Sequence, residues 1–136
     1  MKVRLHYATL PAPAGLVAVH YWFTVVDGER CDRWEVWQSR DSGGLSYGHL
    51  HCNLKAPEAD VGGGPSTIAA EWTGDDAHRL KKVLEGAEKR YPFRNRYLAW
   101  PGPNSNTFVA WVLRRAGIDH PLPWKAIGRN FRCPDD

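Results

Sequence analysis

The sequence predicts an α+β domain in which an antiparallel sheet packs against two or three helices. Three observations lead there. Up to Trp72 the apolar runs are strand-length and separated by turn residues, with Asp27-Gly28 between two of them as a hairpin signal. After Trp72, two stretches change to helical spacing. No repeat, linker or second hydrophobic block is visible, so residues 1–136 are expected to form a single domain, long enough for one modest core.

In residues 2–10, Val3, Leu5 and Tyr7 alternate with Arg4 and His6, a strand pattern that Pro11 and Pro13 end. Residues 15–26 are a nearly continuous apolar run, as in a strand covered on both faces, and are expected to lie centrally. Leu16, Ala18, His20, Trp22 and Thr24 share one of its faces; Val17, Val19, Tyr21, Phe23 and Val25 share the other. A return strand is expected over 33–39. Residues 41–47 read as a Gly/Ser loop and 48–54 as a third strand. Residues 57–65, with three consecutive glycines, read as a loop, and 66–72 as a short strand. A helix capped by Asp75 or Asp76 should run to about Arg90, because Ala77, Leu80, Leu84, Ala87 and Tyr91 fall on one face. The tail after Pro121 has little periodicity.

The chain's chemistry concentrates in residues 97–119. Pro101-Gly102-Pro103 suits a turn. Asn104 can then cap a helix by accepting from the amide of Asn106 or Thr107. Phe108, Trp111 and Val112 supply its apolar face, Arg114 and Arg115 suit its last turn, and Gly117 can end it in a left-handed conformation. Ser105 thus stands at a helix start, where free amides and the positive end of the dipole favour a nucleophile or an anion. A first-turn serine is also an ordinary capping residue.

Bulk properties narrow the function classes. Eighteen basic and fifteen acidic residues leave +3, too small and scattered an excess to argue for nucleic acid. Seven tryptophans suit a packed core and a binding cleft equally. Three widely spaced cysteines suggest reduced thiols in a reducing compartment. No apolar run approaches a membrane span and the N-terminus has no signal-like region, so a cytoplasmic protein is expected. Gly62-Gly63-Gly64 lacks the Lys-Ser/Thr context of a phosphate loop, and no cofactor is implied.

PGPNSNTFVAWVLRRAGI (101–118) resembles the signature of an uncharacterised bacterial family, domain of unknown function 3750, and LPWKAIGRNF (122–131) resembles that family's C-terminal end. More distantly, Asn-Ser-Asn-Thr-Phe is similar to the Asn-Cys-x-x-Phe start of the nucleophile helix in circularly permuted papain-like proteins. These include NlpC-type cell-wall amidases, lecithin–retinol acyltransferase relatives and PPPDE peptidases. Ser105 stands where they have Cys. That resemblance implies a permuted papain-like fold, in which a histidine on an early strand precedes the nucleophile.

His20 is then the candidate base, since imidazole titrates near neutral pH, and its face should look toward the start of the Asn104 helix. Glu35 on the neighbouring strand could orient it, with His49 and His51 as rivals for that role. Trp100, Asn104 and Asn106 are candidate substrate-binding residues, although both asparagines could equally be caps. His49, His51 and Cys52 form only a weak metal pattern, and no metal is expected. The reaction would be acyl transfer or hydrolysis on a small-molecule, peptide or acyl substrate. A non-catalytic binding module on the same fold, and a purely structural protein, are the alternatives.

Overall fold

The computed structural model describes residues 1–11 and 18–134. Its elements are β1 (Lys2–Thr9), β2 (Val19–Asp27), β3 (Arg30–Val36), β4 (Leu45–Tyr47), β5 (Leu50–Cys52), β6 (Thr67–Trp72), α1 (Gly74–Arg90) and α2 (Ser105–Ala116). The strands form one six-stranded antiparallel sheet in the order β4-β5-β3-β2-β1-β6, so the architecture is α+β with two helices. The apolar β2 lies centrally, paired with β1 from Val19 to Val26 and with β3 from Phe23 to Asp27. The first residues of the strand expected over 15–26 lie outside the described residues; those described enter the sheet at Val19.

Local chemistry explains most boundaries. Gly28 and Glu29 close the β2–β3 hairpin, Gly28 with φ +63°. The return strand starts earlier than expected, at Arg30, because a two-residue turn leaves no room for a longer loop, and it ends at Val36. The expected 41–47 loop contains a short strand, β4, which pairs with β5. α1 has Thr73 as its N-cap, without a side-chain cap bond. Asp75 and Asp76 sit inside its first turn, where they favour the dipole without capping.

The main core lies between the sheet and the helices. Leu5, Tyr21, Phe23 and Leu50 meet Leu80 and Leu84 from α1 and Phe108 and Val112 from α2. The other face carries a smaller cluster, Ala8, Trp22 and Val61, with Leu10 and Trp37 against it. Segment 56–61 covers this second face. Pro57 O accepts from Trp22 Nε1 at 3.0 Å, and Ala56 O and Ala59 O accept from Arg33 at 2.9 and 3.1 Å.

Asn104 caps α2 as its sequence predicts. Its Oδ1 accepts from the amides of Asn106 at 3.0 Å and Thr107 at 3.3 Å, and Thr107 Oγ1 accepts from the Asn104 amide at 3.1 Å, a complete capping box. Asn104→Ala should lower stability by roughly 1–2 kcal/mol, read as a lower urea midpoint at constant slope. Gly128 (φ +96°) packs directly on the Asn104 carboxamide, and a Cβ there would overlap it. Gly128→Ala is therefore expected to destabilise at least as much as Asn104→Ala. An unchanged midpoint would show that the cap tolerates displacement.

Candidate functional site

His20 and Glu35 meet across β2 and β3. His20 Nε2 donates to Glu35 Oε2 at 3.0 Å, and Arg33 Nη2 donates to the same oxygen at 2.7 Å. All three side chains are buried. Alternation along β3 and the residue that follows it puts Arg33, Glu35 and Trp37 on one face, and Trp37 stacks on the imidazole with ring centroids 4.4 Å apart. Trp22 flanks His20 at 5.6 Å and also lies under the Arg33 guanidinium at 4.1 Å. Lys55 Nζ sits 4.5 Å over the Trp37 ring. The base candidate is thus held between two indoles and tied to a carboxylate whose counterion is also buried.

The electrostatics follow from this packing. Burial lowers the His20 pKa, opposed by its hydrogen bond and attraction to Glu35. Burial pushes Glu35 up, but the bonds to His20 and Arg33 outweigh it and leave its pKa below the ordinary carboxylate value. The pair therefore stands at neutral pH as imidazole and carboxylate. Because a carboxylate only accepts, Nε2 carries the proton and Nδ1 keeps its lone pair.

His6, on β1, belongs to the same layer. It stacks on Trp22 at 5.4 Å and bonds Thr24 Oγ1 at 2.7 Å. Burial, then Arg33 and Arg4, lower its pKa from 6.5 to about 4. The unfolded chain therefore takes up protons that the fold refuses, and stability must fall as pH drops from about 6.5 to about 4. His6 alone accounts for roughly 3 kcal/mol of that loss. His6→Gln should flatten this part of a stability–pH curve measured by urea unfolding.

Ser105 opens α2 on the far side of the β2 edge. Asn106 brings it there: its Nδ2 donates to Val19 O at 2.9 Å and its Oδ1 accepts from the Tyr21 amide at 3.2 Å, the two backbone groups flanking His20. The carboxamide substitutes for a strand partner where β3 has left β2. Segment 125–128 completes the edge. Lys125 O accepts from the Val19 amide, Ile127 O from Asn106, and Gly128 O from Thr107 Oγ1.

The body of α2 packs on the Val19, Tyr21 and Phe23 face, so the expectation that the His20 face looks toward the start of the Asn104 helix needs correcting to a meeting at the strand edge. His20 points from the opposite face, and only the first turn of α2 reaches the strand edge at its level. No hydrogen bond joins Ser105 to His20 among the described residues. Ser105 instead borders a pocket of about 250 Å³ that straddles the sheet end, with Leu10 from the His20 face, Val19 from the other, and Tyr97, Trp100 and Ile127 around it.

The remaining candidates separate clearly. Trp100 is 76% exposed at the pocket rim. The Asn104 carboxamide is engaged in the cap and with Ala99 O, and that of Asn106 with the β2 edge, so both line the pocket with their polar atoms turned to the protein. The two rivals of Glu35 have other partners. His51 Nδ1 meets Ser46 Oγ and its Nε2 meets Ser39 O, while His49 Nδ1 meets Trp37 O. Burial pushes Cys52 up to about 12, far from a thiolate. Among the described residues no group of three or more His, Cys, Asp or Glu could hold a metal ion, and no helix is long and apolar enough to cross a membrane.

Sequence reasoning did not single out Arg33 and Trp37 as site residues. Their i±2 spacing from Glu35 was the available signal, but which face of β3 meets His20 depends on strand pairing.

A family model described as "Protein of unknown function (DUF3750)" matches residues 1–131. No curated protein and no solved structure matches. The matched span includes β1 through α2 and the 125–128 segment that closes the site, and the chain belongs to the DUF3750 family.

Proposed function

We propose that the protein carries a papain-like acyl-transfer or hydrolase site with Ser105 at the nucleophile position, His20 as base and Glu35 orienting the base. The observation that carries this reading is a double anchoring at one strand position. Glu35 fixes one nitrogen of His20, and Asn106 ties the first turn of α2 to the backbone on both sides of His20. Ser105 Oγ would attack an acyl carbonyl carbon while its proton passes to His20 Nδ1. That proton then goes to the leaving group as the carbonyl–heteroatom bond breaks. Water, deprotonated by His20, returns the acyl group as an acid and restores the serine. The amides of Asn106 and Thr107 are engaged by the cap, which leaves the Ser105 amide to stabilise the oxyanion. Catalytic contacts of this kind commonly tighten only when substrate binds.

Rapid mixing with 4-nitrophenyl acetate tests the reading. A stoichiometric burst of nitrophenolate followed by slower steady release is expected, and release no faster than in buffer would contradict it. A second reading, a non-catalytic binding module on the same scaffold, draws on the missing Ser105–His20 bond and on the 3% exposure of His20. It predicts ligand-induced increases in Tm with no burst.

A further inference from the structure

We infer that the group this site accepts is a neutral, apolar acyl chain of about six to eight carbons, carried as an ester or thioester, and not a peptide. This rests on the Ser105 reading above and concerns only what lies beside that residue. The pocket wall includes Leu10, Ala18, Val19, Tyr97, Trp100 and Ile127, and among the described residues no Asp, Glu, Lys, Arg or His lines it. The Asn104 and Asn106 carboxamides that also line it are bonded within the protein, so they offer an incoming polar chain little. An apolar wall without convergent polar groups selects apolar ligands, because a charged or amide-rich group would lose its hydration without replacement.

Peptides are disfavoured by a second observation. One recurrent way for an extended peptide substrate to dock is by adding a strand to an open sheet edge. The β2 edge beside Ser105 is occupied, with the Val19 amide bonded to Lys125 O, and Val19 O and the Tyr21 amide bonded to Asn106. Size sets the chain length. A cavity of about 250 Å³ holds roughly eight water-sized heavy atoms. The exposed Trp100 ring extends the apolar wall at the mouth, where the leaving group would emerge. In the transfer the Ser105 Oγ–carbonyl bond forms and the bond to the alkoxide or thiolate breaks. The serine proton reaches that leaving group through His20, and water then cleaves the acyl-serine.

Two measurements separate this inference from the catalytic reading. The first uses Ser105→Ala, which cannot turn over, titrated calorimetrically with octanamide and with N-acetylalanine amide. Octanamide should bind about tenfold or more tightly than the peptide analogue. Adding Leu10→Arg, which puts a cation in the wall, should remove that preference; if this variant does not fold, Trp100→Ala at the exposed rim should weaken octanamide binding several-fold. Equal binding of the two ligands overturns the inference. The second compares wild-type kcat/KM for acetyl, hexanoyl, octanoyl and succinyl 4-nitrophenyl esters and for an S-octanoyl thioester. The rate should rise to hexanoyl or octanoyl and be lowest for succinyl, and the thioester arm identifies the preferred leaving group. Octanamide preference without turnover keeps the inference and overturns the catalytic reading. Turnover without chain-length preference, or fastest on succinyl, does the reverse.

Discussion

Ser105→Ala is expected to lower ester turnover by on the order of a thousandfold or more while leaving the fold intact. The asymmetry comes from the position of the hydroxyl. Its oxygen makes no hydrogen bond within the described structure, and the α2 cap belongs to Asn104. Stability should therefore change by no more than about 0.5 kcal/mol, read as a nearly constant Tm. His20→Ala should match the loss of turnover but cost stability as well, because it empties the space between Trp22 and Trp37. Ser105→Cys should retain activity or raise it, since a thiol beside a base is the stronger nucleophile. The wild-type rate should persist into mildly acidic buffer and fall only as pH drops through the lowered pKa of His20, because only neutral imidazole accepts the serine proton. Equal turnover in wild type and Ser105→Ala would remove Ser105 from the chemistry.

The second large effect concerns the buried pair beneath the site. Glu35→Leu should destabilise by about 3–5 kcal/mol, because it leaves the Arg33 guanidinium buried without its carboxylate. The Arg33→Met/Glu35→Leu double variant should recover most of that loss, since apolar residues of similar volume replace a buried pair at little net cost. The double variant should nonetheless lack ester turnover, because His20 then has no acceptor to hold Nε2 and set its tautomer. Urea midpoints of the three proteins measure the first two statements, and stopped-flow bursts measure the third. A double variant as unstable as Glu35→Leu would show that the 56–61 cover, bonded to Arg33 through Ala56 and Ala59, depends on the guanidinium itself.

Local signals made β2, α1, α2 and the Asn104 cap legible in the sequence. Each rests on spacing or capping within a few residues, and the Gly117 cap (φ +68°) is of the same kind. The His20–Glu35 contact was legible only in part: the two residues lie on strands joined by a two-residue turn, which makes the strands neighbours, but the register that brings Glu35 rather than His49 or His51 to His20 is set by pairing. What sequence could not carry is the arrangement at the β2 edge. Asn106 reads as a first-turn polar residue, and nothing local says that its carboxamide will bond a strand 85 residues away. The tail after Pro121 has little periodicity because it forms no regular element: Ala126, Phe131 and Cys133 pack singly, and at the β2 edge it acts through the backbone carbonyls of Lys125, Ile127 and Gly128, which any residue possesses. The side of the sheet from which His20 meets α2 is illegible for the same reason. α2 meets the sheet with its body on one face and its first turn at the edge, a geometry set by tertiary contacts alone.

Covalent labelling tests the central claim, that Ser105 is a nucleophile activated by His20, most directly. Wild-type protein is treated with a fluorophosphonate and the adduct located by peptide mass spectrometry. A single adduct on Ser105 is expected, formed in wild type and absent from His20→Ala. No adduct after prolonged exposure, an adduct on another residue, or equal labelling of Ser105 in His20→Ala would contradict it.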